Sequence, residues 1–284
     1  MFVISAAVIA LAACKKEVPS VEITSTPISF GVYTQGQTRA DVTNDNLASI
    51  GVLAKYIKDN DTTIYFNETI EKAASEWKSN CYWPASGTMD FYASNKTVSD
   101  AGVVTVGSID EDVVVAKATN KTCSSSSPAV ALSFGHIFSK LAVKAQVADE
   151  DGLKATITKI EVSAQAPASY DITKASANWT LGTEASETYY SGTKEISSAT
   201  PTDVVLTKVY VAPQDVTVNI YCEITTKDGE TVLADYSTSP KAVQLTMTEG
   251  KTHTINLTFN ANRIEFIPAV TDFSGADDKE ETIK

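Results

Sequence analysis

Apolar and polar positions alternate with a period of two along most of this chain. Val130, Leu132, Phe134, His136 and Phe138 share one parity, and Leu141, Val143, Ala145 and Val147 share the other. Such alternation marks strands with one buried face. A one-residue slip turns every side chain to the opposite face. A single strand holding both halves would exceed the usual length of roughly 3–10 residues. The change at Ser139-Lys140 therefore predicts a chain that leaves one sheet and enters another, and a domain crossover is expected there.

Strand signals continue on both sides. Val21 and Ile23 precede Ile28, Phe30 and Val32, with a parity change across Pro27 that fits a strand break or bulge. Gly36–Asp41 reads as a polar loop. Residues 47–57 and Ile64-Tyr65-Phe66 flank a turn at Asp59-Asn60-Asp61. Trp77, Cys81 and Trp83 share a parity, and Pro84 ends their strand. Met89, Phe91 and Ala93 make the next face, and Val113–Val115 a short apolar run. Residues 119–128, with four consecutive serines, read as a loop.

In the second half, Ile157, Ile160 and Val162 lie before Pro167, and Val205, Val209 and Val211 lead to Pro213. Val216 to Ile224 alternate, and Lys227-Asp228-Gly229-Glu230 is a hairpin turn toward Val232, Ala234 and Tyr236. Val243, Leu245 and Met247 precede the turn Glu249-Gly250-Lys251. Ile255, Leu257 and Phe259 follow it, then Ile264 and Phe266. Short strands spaced by turns predict an all-β sandwich or barrel rather than βαβ units. The acidic tail 274–284 is expected to fray.

The N-terminus departs from this pattern. Residues 1–13 are apolar except for Ser5, and Leu11-Ala12-Ala13-Cys14 reads as a lipobox. The small residues at 12 and 13 let an extended backbone enter a peptidase site, and the Cys14 thiol would accept a diacylglycerol. The run is too short for a bilayer span, which takes ~20 apolar residues. It fits the apolar core of an export signal. No Lys or Arg precedes it, so the start of the signal is expected upstream of Met1. A cleaved signal followed by an unmodified Cys14 is the alternative.

Composition narrows the classes. A chain of 284 residues makes one large or two modest domains, and 43% hydrophobic content supports a sizeable core. Net charge is −12 with no basic cluster, which removes a nucleic-acid footprint. Cys81, Cys123 and Cys222 remain beyond Cys14, with no C-x-x-C spacing. Cys222 falls on an apolar strand face, as a buried thiol does. Cys81 and Cys123 could pair.

Candidate chemistry is thin. Both histidines, His136 and His253, lie in line with apolar strand residues, as histidines satisfied by a neighbour do. No metal-ligand constellation and no G-x-S-x-G, H-E-x-x-H or P-loop pattern occurs. No cofactor and no catalytic activity are expected. The runs Asp110-Glu111-Asp112, Asp149-Glu150-Asp151 and Asp277-Asp278 read as solvated turns or tail. A hydrolase would need carboxylates from distant segments to converge. Trp77, Trp83, Tyr82 and Tyr92 could form a glycan platform, although aromatics at strand alternation more often belong to a core.

Several phrases together resemble the fimbrillins, the type V pilins of Gram-negative gut and oral bacteria. They are the lipobox, Thr38-Arg39-Ala40, Tyr82-Trp83-Pro84 with Met89–Ala93, and Val130–Val143. Val209–Gln214, Gly250–Leu257 and Ile264–Phe273 complete the series. Asp272-Phe273 stands where the family often has Asp-Trp. The resemblance implies two tandem transthyretin-like antiparallel β-sandwich domains. The expected layout is a signal peptide over 1–13, a tether over 14–20, sandwiches over 21–139 and 140–273, and the tail 274–284.

The resemblance also implies a pathway. The chain would be exported, lipidated at Cys14, anchored in the outer membrane and displayed on the cell surface as a fimbrial subunit. A protease would cut between Arg39 and Ala40; Arg39 is the only arginine before Arg263. The strand carrying Ile28, Phe30 and Val32 would leave, and a strand from another pilin subunit would fill the groove. Ile255, Leu257 and Phe259, or Ile264 and Phe266, are the candidate donor positions. Asp61-Thr62-Thr63 resembles the O-glycosylation acceptor of exported proteins in these bacteria, with Thr62 as the acceptor. A host protein or glycan is a further expected partner. A glycan-binding outer-membrane lipoprotein is the alternative function.

Overall fold

The computed structural model describes residues 21–34, 46–74, 76–106, 112–123, 129–176, 178–204 and 209–272. The first half contributes β1 (Ile23–Thr34), β2 (Ser49–Lys58), β3 (Asp61–Glu71), β4 (Trp77–Pro84), β5 (Thr88–Ser94), β6 (Val103–Thr105), β7 (Val114–Lys121) and β8 (Val130–His136). The second contributes β9 (Ser139–Val147), β10 (Leu153–Asp171), β11 (Trp179–Ile196), β12 (Thr202–Asp203) and β13 (Val209–Val211). It ends with β14 (Asp215–Thr226), β15 (Val232–Asp235), β16 (Lys241–Thr246), β17 (Lys251–Asn260) and β18 (Arg263–Asp272). No helix occurs among the described residues.

Turn chemistry sets the hairpins. Asp59 and Asn60 both adopt positive φ, at 54° and 66°, and join β2 to β3 in a two-residue loop. This twist matches that of the strands it connects, and Asp and Asn tolerate it better than other side-chain-bearing residues. Gly229 (φ 79°) and Gly250 (φ 67°) supply the same conformation at the two later turns read from the sequence.

Seven strands form one sheet in the order β3-β2-β5-β7-β8-β1-β4. Side chains from all seven share one core, including Ile28, Phe30, Phe66, Trp77, Trp83, Phe91 and Phe134. The sheet therefore wraps around that core and brings its ends, β3 and β4, together. Tyr65 of β3 donates its hydroxyl to the Tyr82 carbonyl of β4 at 2.7 Å, and the Ser79 hydroxyl of β4 donates to the Glu68 carboxylate of β3.

The second half packs two sheets over a separate core. One runs β11-β10-β14-β15, with β16 also on β14 and β6 on β10; the other runs β12-β9-β17-β18, with β13 also on β9. Leu141, Val143, Ile157, Ile160, Ile220, Cys222, Ile255, Leu257 and Phe259 fill the space between them. Two ladders are parallel in otherwise antiparallel sheets. They are β1 on β8 and β17 on β9, each pairing strands far apart in sequence.

The parity change read near Ser139 coincides with passage between sheets. β8 ends at His136 in the seven-stranded sheet, and β9 begins at Ser139 in another. Ile137 and Phe138 between them enter a third core that draws on both halves, with Leu53, Tyr92, Val104, Tyr170 and Tyr210. The β10–β11 hairpin reaches into the same joint. Val103–Thr105 of β6 pairs with Ser169–Asp171 of β10, and Lys117 Nζ donates to the Thr173 carbonyl at 3.0 Å. Pro167 does not end its strand: β10 continues through it with register shifts on both sides, where a bulge absorbs the missing N–H.

Candidate functional site

β1 is an interior strand made of two unequal halves. Ile23–Phe30 runs antiparallel to β4, with register shifts on either side of Pro27. Phe30–Thr34 runs parallel to β8. Ile28 and Phe30 are buried and Val32 is half-buried against the same core. The Phe30 ring stands edge-on to Phe91, centroids 5.3 Å apart at 82°. Burying such side chains is worth roughly 1.5–3 kcal/mol each, so these three anchor β1 from within the core. Tyr33, on the same strand, projects into solvent.

The candidate donor positions fall into two environments. Ile255, Leu257 and Phe259 lie on β17, which is flanked by β9 and β18, and all three are buried in their own core. β18 is an edge strand, with β17 as its neighbour. Ile264 is buried there, but Phe266 is 38% exposed and Ile267 69% exposed. An extended edge with apolar side chains in water is ready to pair with another strand.

The aromatic platform is not formed. Trp77 is 5% exposed and Trp83 3%, both in the first core, whereas Tyr92 is buried in the third core and Tyr82 is half-buried. Trp83 packs edge-on against Phe91 at 5.8 Å. The two tryptophans build core, because their shared strand parity points inward. A polar groove of about 680 Å³ does lie at the β10, β14 and β16 surface, lined by Gln165, Glu184, Gln214, Asp215 and Thr246. No aromatic ring lines it, and Gln165 and Gln214 are tied to each other by two side chain to backbone bonds.

The histidines have partners. His136 Nδ1 meets Asp112 Oδ2 at 2.8 Å in a buried pair, so Asp112 is not a solvated turn residue. His253 Nε2 accepts the Thr248 N–H at 3.0 Å, and burial pushes its pKa below the ordinary histidine value. Asp149, Glu150 and Asp151 are exposed, as read. Cys222 is buried, and burial pushes its thiol up to about 12, which keeps it protonated and inert. Cys81 is buried in the first core, with Cys123 half-buried against it. Among the described residues no cluster of His, Cys, Asp or Glu could hold a metal ion.

Thr62 is exposed at the base of the β2–β3 turn, its N–H bonded to Asp61 Oδ1 at 2.9 Å. Cys14, Arg39, Ala40, Asp110, Glu111, Asp277 and Asp278 lie outside the described residues. Sequence reading missed the Asp112–His136 pair, whose only signal was that His136 shares parity with Leu132 and Phe134. It also missed the joint built by Tyr170, Trp179 and Glu249.

The profile of a family described as fimbrillin-like matches residues 38–272, most of the chain. This chain belongs to the fimbrillin-like family. No protein of curated function matches it. Among solved structures, it is similar to a candidate cell adhesion protein of Bacteroides uniformis at 17% identity and a TM-score of 0.54. That likeness covers 87% of this chain and 98% of the other. A fimbrial protein of Bacteroides vulgatus is similar at 14% identity and 0.52, with 87% and 99% covered. A candidate cell adhesion protein of Parabacteroides distasonis is similar at 7% identity and 0.53, with 89% and 98% covered. At these identities the likeness is one of fold, and it extends over both halves of this fimbrillin-like chain.

Proposed function

We propose that this protein is a structural and adhesive subunit of a cell-surface pilus, without catalytic activity. It would be exported as a lipoprotein through Cys14 and assembled by strand exchange after cleavage between Arg39 and Ala40. The observation that carries the reading is the position of β1. The segment just before Arg39 is an interior strand with Ile28 and Phe30 in the first core. Removing it opens a groove with two unpaired edges and an apolar floor, a demand that another extended strand meets. Family membership supports the fimbrial role. β18 is the better donor of the two candidates, because it is an edge strand with Phe266 and Ile267 already exposed. Thr62 is accessible for glycosylation in the displayed subunit.

Limited trypsin digestion tests the assembly step. Cleavage is expected first after Arg39, ahead of Lys55, which is half-buried within β2, and Lys58 at its exposed end. Cut protein should form oligomers in size-exclusion chromatography, and Arg39→Ala protein should stay monomeric. Cut protein that remains monomeric at high concentration would end the strand-exchange reading for this subunit.

A further inference from the structure

β1 does more than fill a slot, because β4 depends on it. Among the described residues, β1 is the one ladder partner of β4. The two ladders of β1 overlap only at Phe30: β4 takes Ile23–Phe30, and β8 takes Phe30–Thr34. The Ala85 N–H just past β4 also bonds back, to the Glu22 carbonyl at 2.8 Å. On its other side β4 has no ladder to β3. It has the Tyr65 hydroxyl on the Tyr82 carbonyl, the Ser79–Glu68 side-chain bond, and the Ala73–Glu76 bridge near the connecting turn. Those contacts supply no second ladder, so the backbone groups on the inner side of β4 depend on β1, and an unpaired buried backbone group is costly.

We propose that β1 and β4 form one opening unit, so that β4 cannot keep its place when β1 leaves. The side-chain seam to β3 does not replace its ladder. Trp77 and Trp83 move with β4, so opening withdraws two large aromatics from the first core as well as Ile28 and Phe30. A strand entering the gap must then rebuild two ladders, one to β8 and one to β4, and recapture both tryptophans. The coupling is a property of the single chain and does not depend on the assembly reading.

Native-state hydrogen exchange on the intact chain tests it, read by mass spectrometry at rising sub-denaturing urea. Amides of Ile23–Thr34 and of Trp77–Pro84 should reach exchange together, before those of β5 and β7. Ile28→Ala should raise exchange in both segments by the same factor, on the order of a hundredfold, with β5 and β7 still exchanging after them. Protection that persists in β4 while β1 exchanges would overturn the proposal. So would exchange of both strands only with the whole seven-stranded sheet. The unmodified chain at rising urea carries the test alone if Ile28→Ala does not fold.

Discussion

The Tyr170 hydroxyl donates to Glu249 Oε1 at 3.1 Å, linking the β10–β11 hairpin to the turn that opens β17. Glu249 as a residue reaches solvent, but its carboxyl end turns back into the joint between the two halves. Burial raises its pKa, against the opposing pull of Tyr170 and Trp179. The Trp179 indole N–H lies buried beside that carboxyl without closing a hydrogen bond of good geometry. The ring stands edge-on to Tyr170 with centroids 5.2 Å apart and lies tilted against Phe138 at 5.0 Å. Burial also raises the pKa of Tyr170, so its hydroxyl stays a donor.

A raised carboxyl pKa means that the folded state binds the proton more tightly than the unfolded one. Its contribution to stability is then greatest in acid. It falls as pH rises from the ordinary value of 4.5 through the folded value, and is flat above. Glu249→Gln keeps an acceptor for Tyr170 and removes the charge. It should match the parent protein at pH ~4 and exceed it at pH ~7 in urea unfolding midpoint. A variant less stable at neutral pH than in acid, relative to the parent, would contradict this.

Gly51 sits inside β2 where no side chain fits. A Cβ there would lie 2.5 Å from the Lys96 carbonyl oxygen and 3.1 Å from the Val98 nitrogen, both backbone atoms. Gly51→Ala should cost about 1–3 kcal/mol in urea unfolding, the range for overpacking a tight site. An unchanged midpoint would show that the Lys96–Val98 segment yields at no cost.

His253 is neutral in the fold, accepting the Thr248 N–H, with its pKa lowered by burial. The unfolded chain takes the proton first, so stability is lost as pH falls below the ordinary value of 6.5. His253→Gln retains an acceptor that does not titrate. Its stability between pH ~5 and ~7 should vary less than the parent's, measured as the difference in unfolding midpoint. Equal slopes would remove His253 as a source of acid sensitivity.

Cys14→Ala should abolish incorporation of labelled palmitate and release the protein from the membrane fraction. On the proposed lipidation, one diacylglycerol and one amide-linked chain would give the two-signal anchoring that a single acyl chain cannot provide. Label retained by the variant would move the lipid elsewhere or remove it from the account.

Alternation made β8, β9, β14 and β17 legible, because each buries one face continuously and a parity count detects that. The turns at Asp59-Asn60, Gly229 and Gly250 were legible for a similar reason: positive φ selects few residue types. β11 was not. Its run Gly182–Thr188 is largely polar and exposed, and it is held to β10 by backbone bonding that leaves little mark on composition. The burial of Trp77 and Trp83 agrees with reading aromatics at strand alternation as core, although alternation alone tells which residues share a face and not which face is covered. Asp112 read as a turn carboxylate because its partner, His136, is distant in sequence.

The two donor candidates differ in what a single charge would do. Leu257 is 1% exposed in the second core, and Leu257→Asp should unfold that half outright, since an unpaired buried charge has no compensating partner. Phe266 is 38% exposed on the edge strand β18. Phe266→Asp should leave the circular dichroism spectrum intact and change the unfolding free energy from urea titration by about 0.5 kcal/mol, as surface substitutions usually do. If β18 is the strand that enters a neighbour, the same charge would have to enter an apolar groove. Arg39-cut Phe266→Asp protein should then remain monomeric where cut parent protein forms oligomers. Oligomers of the same size and yield from the variant would place the donor on another strand.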